Sequence, residues 1–241
     1  MRHFAMALLF IAAMIVGRPT SSSEPDGSPI TGDARDTVVF DGDSFDFGGR
    51  HFQLAGIDAP ELGQRCEKED GPNVACGLTA AYELRKRLQL DPRPLRCWPQ
   101  SETQDGTILA VCAAGEDDLA LVLVESGYAR ALPGAQIDYR LAEEKARGSG
   151  IGLWASKKNL APWAWRAERA DANANTPEDG CVIAGVVESA GRGADARLYF
   201  GPLDHQYAAK SVDAARGGRW FCSDEAAREA GFRRPGEGAS R

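Results

Sequence analysis

The stretch DGDSFDFGGRHFQLAGIDAPE, residues 41–61, decides the expected fold of the first half of this 241-residue chain. Its inner part, SFDFGGRHFQLAGI, predicts a β-strand, a Gly-Gly turn and a second β-strand. Such a hairpin folds back on itself, so it brings Asp43 at its beginning near Asp58 at its end. Two converging carboxylates suit a hard cation such as Ca²⁺.

A further carboxylate, that of Glu61, lies three residues beyond Asp58, after Pro60 has fixed the direction of the chain. At that position it is expected to orient or deprotonate a water molecule next to the metal. Asp41 adds another acidic side chain at the start of the stretch. The alternative interpretation is that all of these acids are ordinary turn residues on a solvated loop.

Two motifs in this stretch, DGDS and IDAPE, resemble the signature of the staphylococcal nuclease-like (thermonuclease) family. That family has an acidic DGD-T/S turn, followed one strand later by V/I-D-x-P-E. Other parts of its pattern recur along the chain: QRC at 64–66, CGLTAAYEL at 76–84, LAVC at 109–112, GIGLW at 150–154 and PWAWR at 162–166. The resemblance covers residues 35–166 and implies a β-rich α+β domain, a five-stranded OB-like Greek-key barrel with packed helices.

The resemblance also implies metal-assisted hydrolysis of phosphodiester bonds in nucleic acid. It assigns Ca²⁺ to Asp43, Asp58 and the backbone carbonyl of Ala59, and it gives Glu61 the role of activating water. Asp41 is expected to support the metal from behind these direct ligands.

Both arginines that the family uses for catalysis are absent. One belongs five residues before the second metal aspartate, where this chain has Gln53, and the other closes a D-x-Y-G-R turn, where it has Thr107. A preorganised donor to a transition-state anion contributes on the order of 10²–10³ in rate, so the double replacement predicts a large loss of activity.

Another cation could stand in for these arginines. His51 is expected to share a strand face with Gln53 and therefore to face the site, while the alternative is a surface or barrel-rim histidine. Arg65 and Arg130 are further candidates, but they match no catalytic position of the family.

Two hypotheses follow. The first is an exported, calcium-dependent nuclease with weak or altered activity. The second is a non-catalytic exported protein for binding or assembly, linked to the envelope or to exopolysaccharide, which keeps the barrel and the acidic pocket. The net charge of −7 disfavours general nucleic-acid affinity, which depends on Lys and Arg releasing phosphate counterions. Nucleic acid is therefore expected to bind weakly at most.

Residues 1–22 predict a secretory signal peptide, with the apolar run FAMALLFIAAMIV after Arg2 and His3. This run is short for a membrane span, and an uncleaved N-terminal anchor is the alternative. We expect a monomer in the periplasm or outside the cell, with no stable membrane span.

An even number of cysteines in an exported chain indicates disulfides. Cys97 and Cys112 flank a predicted hairpin and would lie opposite each other on antiparallel strands. The remaining cysteines are Cys66 and Cys76, which close a short loop before a predicted helix, and Cys181 and Cys222, which are left to pair near the C-terminus.

Polar linkers are predicted at 23–34 and 167–180, and they leave a small C-terminal unit at 181–236. Three strands are predicted there, in CVIAGVVES, ARLYF and RWF, followed by a helix that begins after Ser223 and stops at Gly231. Its RWFCS-x-x-x-A-x-x-A-G-F-R pattern resembles the sunset domain, which is appended to some exported nuclease-like proteins, including ones grouped with succinoglycan biosynthesis. Such a unit has a small core, so a disulfide would stabilise it considerably.

Overall fold

The computed structural model describes residues 27–68, 73–90, 93–171, 180–189, 195–207 and 210–237. The strands are β1 Ile30–Asp33, β2 Val38–Val39, β3 Ser44–Phe47, β4 Arg50–Leu54, β5 Ile57–Asp58, β6 Glu67–Lys68, β7 Pro94–Glu102, β8 Ile108–Ala114, β9 Asp117–Asp118, β10 Arg130–Ala131, β11 Ser156–Lys158, β12 Ile183–Glu188, β13 Ala196–Phe200 and β14 Arg219–Phe221. The α-helices are α1 Cys76–Arg85, α2 Leu119–Glu125, α3 Ile137–Gly148, α4 Pro162–Asp171 and α5 Asp224–Glu229.

The strands of the first half form a curled sheet in the order β1-β7-β8-β4-β3-β2, with β9 paired to β8. Helix α1 contacts β2, α2 contacts β8, and α3 packs on α2. Phe45, Phe52, Leu54 and Leu84 are fully buried in the core between the sheet and the helices. The architecture is the expected α+β, OB-like fold, with the sheet curled into a half-barrel.

The hairpin between β3 and β4 forms as predicted, because its turn residues suit it. Gly48 and Gly49 both have positive φ angles, 57° and 73°, as a two-residue turn between twisted strands requires. In the ladder Phe45 lies opposite Phe52 and both point into the core. Because side chains alternate along a strand, the intervening residues point to the other side, where the candidate site lies.

Strand β4 also pairs in parallel with β8, with Gln53 opposite Leu109. Thr107 immediately precedes β8 and closes the turn after β7. The two positions that lack the family arginines therefore lie close together on neighbouring central strands of the sheet, Gln53 within β4 and Thr107 just before β8.

Both predicted linkers are ordered where the structure describes them. Residues 30–33, part of the predicted linker at 23–34, form β1 and pair with residues 94–97 of β7. Helix α4 continues past residue 166, so the predicted start of the second linker was wrong as well. Backbone pairing and continuation of a helix need no apolar pattern in the added segment. The predicted signal segment, residues 23–26 and residues 172–179 lie outside the described ranges.

The C-terminal unit has a three-stranded antiparallel sheet in the order β13-β12-β14, followed by α5. The hydroxyl of Ser223 accepts a hydrogen bond from the Ala226 amide and caps α5 as predicted. Its core is continuous with that of the barrel domain. Phe40, Leu62 and Ala81 of that domain pack in one buried cluster with these residues of the C-terminal unit: Ile183, Tyr199, Phe221, Ala227 and Phe232.

The predicted cysteine pairings agree with the structure. The bonds are Cys66–Cys76, Cys97–Cys112 and Cys181–Cys222. Cys97 lies directly opposite Cys112 in the β7–β8 ladder, as the midpoint of the hairpin predicts.

None of the helices within the described ranges is long and apolar enough to cross a membrane.

Candidate functional site

A cavity of about 260 Å³ opens beside the hairpin. Its walls come from the DGDS turn, β4, the turn after β7, helix α4 and the C-terminal unit. The lining residues are Asp41, Asp43, Ser44, His51, Gln53, Glu61, Thr103, Gln104, Asp105, Thr107, Arg166, Ser223, Asp224, Glu225, Arg228 and Glu229. Seven of these are acidic and two are arginines, so the cavity is dominated by negative charge.

Asp41 organises the turn from which the site is built. Its Oδ1 atom accepts hydrogen bonds from the amides of Asp43 and Ser44, at 3.1 and 2.8 Å, and from the Ser44 hydroxyl at 2.6 Å. These bonds fix the backbone of the turn from which the side chain of Asp43 projects. Support of a metal by Asp41 stays a prediction.

Asp43 is buried and joins the two ends of the hairpin. Its Oδ2 atom accepts a hydrogen bond of 2.7 Å from the Ala59 amide. Burial, together with the neighbouring charges of Asp41 and Asp58, raises the pKa of Asp43 well above its usual value. A cation beside this carboxylate would favour its ionised form and so oppose the rise in pKa.

Arg166 of α4 holds Asp58 and Glu61 together. Its Nη1 atom lies 3.0 Å from Asp58 Oδ1 and 2.5 Å from Glu61 Oε1, and its Nη2 atom lies 3.0 Å from Asp58 Oδ2. The guanidinium side chain is 30% exposed, whereas both carboxylates are buried. Arg166 therefore places a positive charge where the sequence predicted only acids.

The pKa values of both carboxylates rise despite this arginine. Burial raises the pKa of Asp58, although the hydrogen bonds and charge of Arg166 oppose the shift. Burial and the nearby charge of Asp41 raise the pKa of Glu61 to about 8. Hydrogen bonds to Asp58 and the charge of Glu61 outweigh the burial of Arg166 and raise its own pKa above the ordinary value.

The positions of the missing arginines face the cavity. Both Gln53 and Thr107 line it. The Thr107 hydroxyl donates a hydrogen bond of 2.9 Å to Asp105, which also accepts a bond from the Thr103 hydroxyl. This turn therefore presents two hydroxyl groups and a carboxylate, and no positive charge, where the family has an arginine.

The cations proposed as replacements lie elsewhere or are already paired. Arg65 donates to the carbonyl of Asn73, and Arg130 to that of Asn159, and neither lines the cavity. His51 does reach the cavity, so the prediction of its direction was correct. The side chain that the sequence interpretation missed is Arg166, although its motif, PWAWR, was part of the family pattern.

His51 is locked between two carboxylates and is not a free cation. Its Nδ1 atom lies 2.6 Å from Asp46 Oδ1, and its Nε2 atom lies 2.6 Å from Asp224 Oδ2. Burial alone would lower its pKa, but the charge and hydrogen bond of Asp224 and the hydrogen bond of Asp46 raise it to about 9. Imidazolium at this position therefore joins the barrel to the C-terminal unit.

The predicted metal ligands are not gathered tightly. Among the described residues, three ligand atoms within 4.8 Å of one another are contributed by Asp46, His51 and Glu237, and not by the set around Asp43. That group is an ionic network, because Arg228 and Arg234 also contact its carboxylates. Near Asp43, the arginine of α4 already binds the carboxylates of Asp58 and Glu61.

The fold and the acidic cavity define a nuclease-like domain, and comparisons with known proteins agree. Residues 51–156 match the family described as Staphylococcal nuclease homologue. The chain is 31% identical over 154 residues to the succinoglycan biosynthesis protein ExoI of Rhizobium meliloti (strain 1021). That alignment covers 63% of this chain and 76% of the relative. The chain belongs to the staphylococcal nuclease homologue family.

Proposed function

We propose that the protein is a divalent-cation-dependent phosphodiesterase of low turnover that acts outside the cytoplasm. The observation that carries this proposal is that Asp43, Glu61 and Arg166 line one cavity, while the same arginine also holds the buried Asp58 beside Glu61. Disulfides in each part of the chain support an oxidising location.

The kinds of donor around Asp43 suit a hard cation, although their atoms are not gathered as tightly as in a formed metal site. Carboxylate oxygens of Asp43 and Asp58 are the ligands that Ca²⁺ prefers, and the Ala59 carbonyl follows directly in the chain. Both carboxylates are buried near like charges, which a cation would relieve. When bound there, Ca²⁺ would supply the Lewis acid that polarises the phosphoryl group.

Glu61 is the general base in this proposal. Its pKa of about 8 lies near neutral pH, where a base is most effective. It takes a proton from the attacking water as the water oxygen bonds to phosphorus. The ester bond between phosphorus and the leaving oxygen then breaks, and solvent protonates that oxygen.

Arg166 supplies the positive donor that Gln53 and Thr107 do not. A cation held by Asp43 and Asp58 would weaken the hold of Asp58 on the guanidinium. The side chain of Arg166, which is partly exposed, would then be free to donate to the phosphate. With one such donor in place of two, we expect slow hydrolysis.

A second candidate is a non-catalytic protein for binding or assembly in the envelope. The presence of Gln53 and Thr107 in the cavity favours it, as does the relative named for succinoglycan biosynthesis.

Hydrolysis of bis-p-nitrophenyl phosphate and of labelled single-stranded DNA and RNA, with Ca²⁺ or with EGTA, distinguishes the two candidates. Cleavage that EGTA stops and Asp43→Ala abolishes is expected for the phosphodiesterase. The matched control is Asp36→Ala, on the surface away from the cavity. Absence of cleavage by the unmodified protein would refute the catalytic proposal.

A further inference from the structure

The C-terminal unit forms part of the candidate site. Side chains around and within α5 line the same cavity as Asp43 and Glu61, with Glu225 and Glu229 among them. We propose that this unit determines substrate size. Helix α5, with Glu225 and Glu229, forms a fixed acidic surface beside the cavity, which we call the acidic wall. This surface admits a short phosphodiester or a strand end and excludes continuous nucleic acid. The inference rests on the proposed phosphodiesterase function.

The wall is fixed to the barrel by buried ionic contacts. His51 of β4 bridges Asp46 of β3 and Asp224 of α5, at 2.6 Å from each. Arg228 and Arg234 approach Asp46 from the C-terminal unit, at 3.9 and 3.6 Å. These groups satisfy one another only while the two parts are docked, so separation would leave buried charges without partners.

An apolar contact anchors the same interface next to the DGDS turn. Phe40, which directly precedes Asp41, packs edge-on against Tyr199 with ring centroids 5.5 Å apart. The guanidinium of Arg234 lies over the Phe40 ring, 4.7 Å from its centroid. Gly201 approaches the Phe40 ring so closely that an added Cβ would lie 3.1 Å from it. The C-terminal unit therefore packs against the residue that precedes the DGDS turn and stabilises the turn that carries Asp43.

The size of the cavity limits what enters. At about 260 Å³ it lies just below the roughly 300–1,000 Å³ of common ligand sites. A cavity of this volume suits a small group such as a single phosphodiester. Because α5 is fixed beside the cavity, the part of a longer nucleic-acid strand that lies outside the cavity has to pass along the acidic wall.

Charge adds a second discrimination. Glu225 and Glu229 are exposed at the cavity, while Arg228 of the same helix is engaged by Asp224 and Glu237. One phosphate can be neutralised by a cation and Arg166, but the flanking phosphates of a polymer meet carboxylates. Like-charge contacts of this kind reject a partner without weakening the preferred one.

The test compares binding of short and long ligands. Fluorescein-labelled phosphorothioate oligothymidylates, a dinucleotide and a strand of about 20 nucleotides, are titrated in Ca²⁺ at low salt, where exposed charges act most strongly. The variant is Glu225→Gln/Glu229→Gln. The control is Glu125→Gln/Glu144→Gln, which removes the same charge from exposed positions outside the cavity.

The unmodified protein is expected to gain little affinity from strand length. The wall variant should bind the long strand about threefold tighter or more, with a smaller change for the dinucleotide, and the control should match the unmodified protein. Equal effects in variant and control, strong preference of the unmodified protein for the long strand, or no binding by any of the proteins overturns the inference. Hydrolysis of bis-p-nitrophenyl phosphate, which has no flanking phosphates, is measured in parallel. If the protein hydrolyses this small substrate but its affinity for oligothymidylates does not depend on the wall as expected, the proposed function stands and only the inference about the acidic wall is refuted.

Discussion

Arg166 binds both carboxylate oxygens of Asp58, each at 3.0 Å. The same aspartate is a predicted ligand of the metal, so the guanidinium and a divalent cation compete for one carboxylate. A bidentate arginine–carboxylate pair is among the stronger polar contacts in proteins. The arginine thus stabilises the acidic pocket in the absence of a metal and opposes binding of a metal at Asp58.

This competition predicts that Arg166→Met binds Ca²⁺ more tightly than the unmodified protein, by about tenfold, the equivalent of about 1.4 kcal/mol. Hydrolysis should fall at the same time, on the order of 10²-fold, because the donor to the phosphate is lost. Isothermal titration at pH 8 and the p-nitrophenyl assay measure the two effects. Arg169→Met, on the same helix but stacked on Trp165, is the control. Weaker Ca²⁺ binding by Arg166→Met would contradict the competition.

The parts of the fold that depend on neighbouring residues were predicted well. The hairpin depends on Gly48 and Gly49, and the Cys97–Cys112 pairing depends on the register of one further hairpin. Strand β1 was missed because its residues gain their partner only from β7, far along the chain. Its sequence carries no apolar alternation that would mark it.

The candidate site divides in the same way. The carboxylates Asp43, Asp58 and Glu61 lie within one local motif, and their convergence follows from a hairpin. Arg166 is 105 residues from Glu61, so its contact depends on where α4 packs, which no local pattern specifies. The contact between His51 and Asp224 also depends on docking of the C-terminal unit, and the sequence interpretation treated that unit separately.

Restoring both family arginines should raise activity. Gln53→Arg/Thr107→Arg places two guanidinium groups at positions that line the cavity. We expect hydrolysis with Ca²⁺ to rise by on the order of 10²-fold or more, since each donor aids the developing negative charge. The control, Thr79→Arg/Gln100→Arg, adds the same charge at exposed positions outside the cavity. If both double variants gain equally, general attraction of the substrate explains the effect instead.

Glu61 should make stability depend on pH without any assay of catalysis. Because its pKa is raised from 4.5 to about 8 in the folded protein, the folded state holds a proton that the unfolded state releases. This contribution to stability is present below pH 4.5 and is lost as the pH rises through about 8. Glu61→Gln, an uncharged substitute, should therefore lose less unfolding free energy across this range, as measured by urea denaturation in EGTA.

The control for that measurement is Glu67→Gln, at an exposed position. Ca²⁺ should restore stability to the unmodified protein at pH 8, because a ligand that binds only the folded state stabilises it. Parallel pH profiles for the unmodified protein and Glu61→Gln would show that Glu61 has no raised pKa.

His51 should couple stability to pH at the interface between the barrel and the C-terminal unit. Its pKa rises from 6.5 to about 9, because Asp224 and Asp46 favour the imidazolium, although Arg228 and burial oppose it. A raised histidine pKa stabilises the folded state fully below pH 6.5 and loses that contribution as the pH passes about 9. For this buried side chain the contribution is about 3 kcal/mol.

Urea unfolding of His51→Gln should show lower stability at pH 6 and a flatter decline toward pH 10, whereas His205→Gln, at an exposed position, should follow the unmodified protein. A His51→Gln profile as steep as that of the unmodified protein would mean that another group carries the pH dependence.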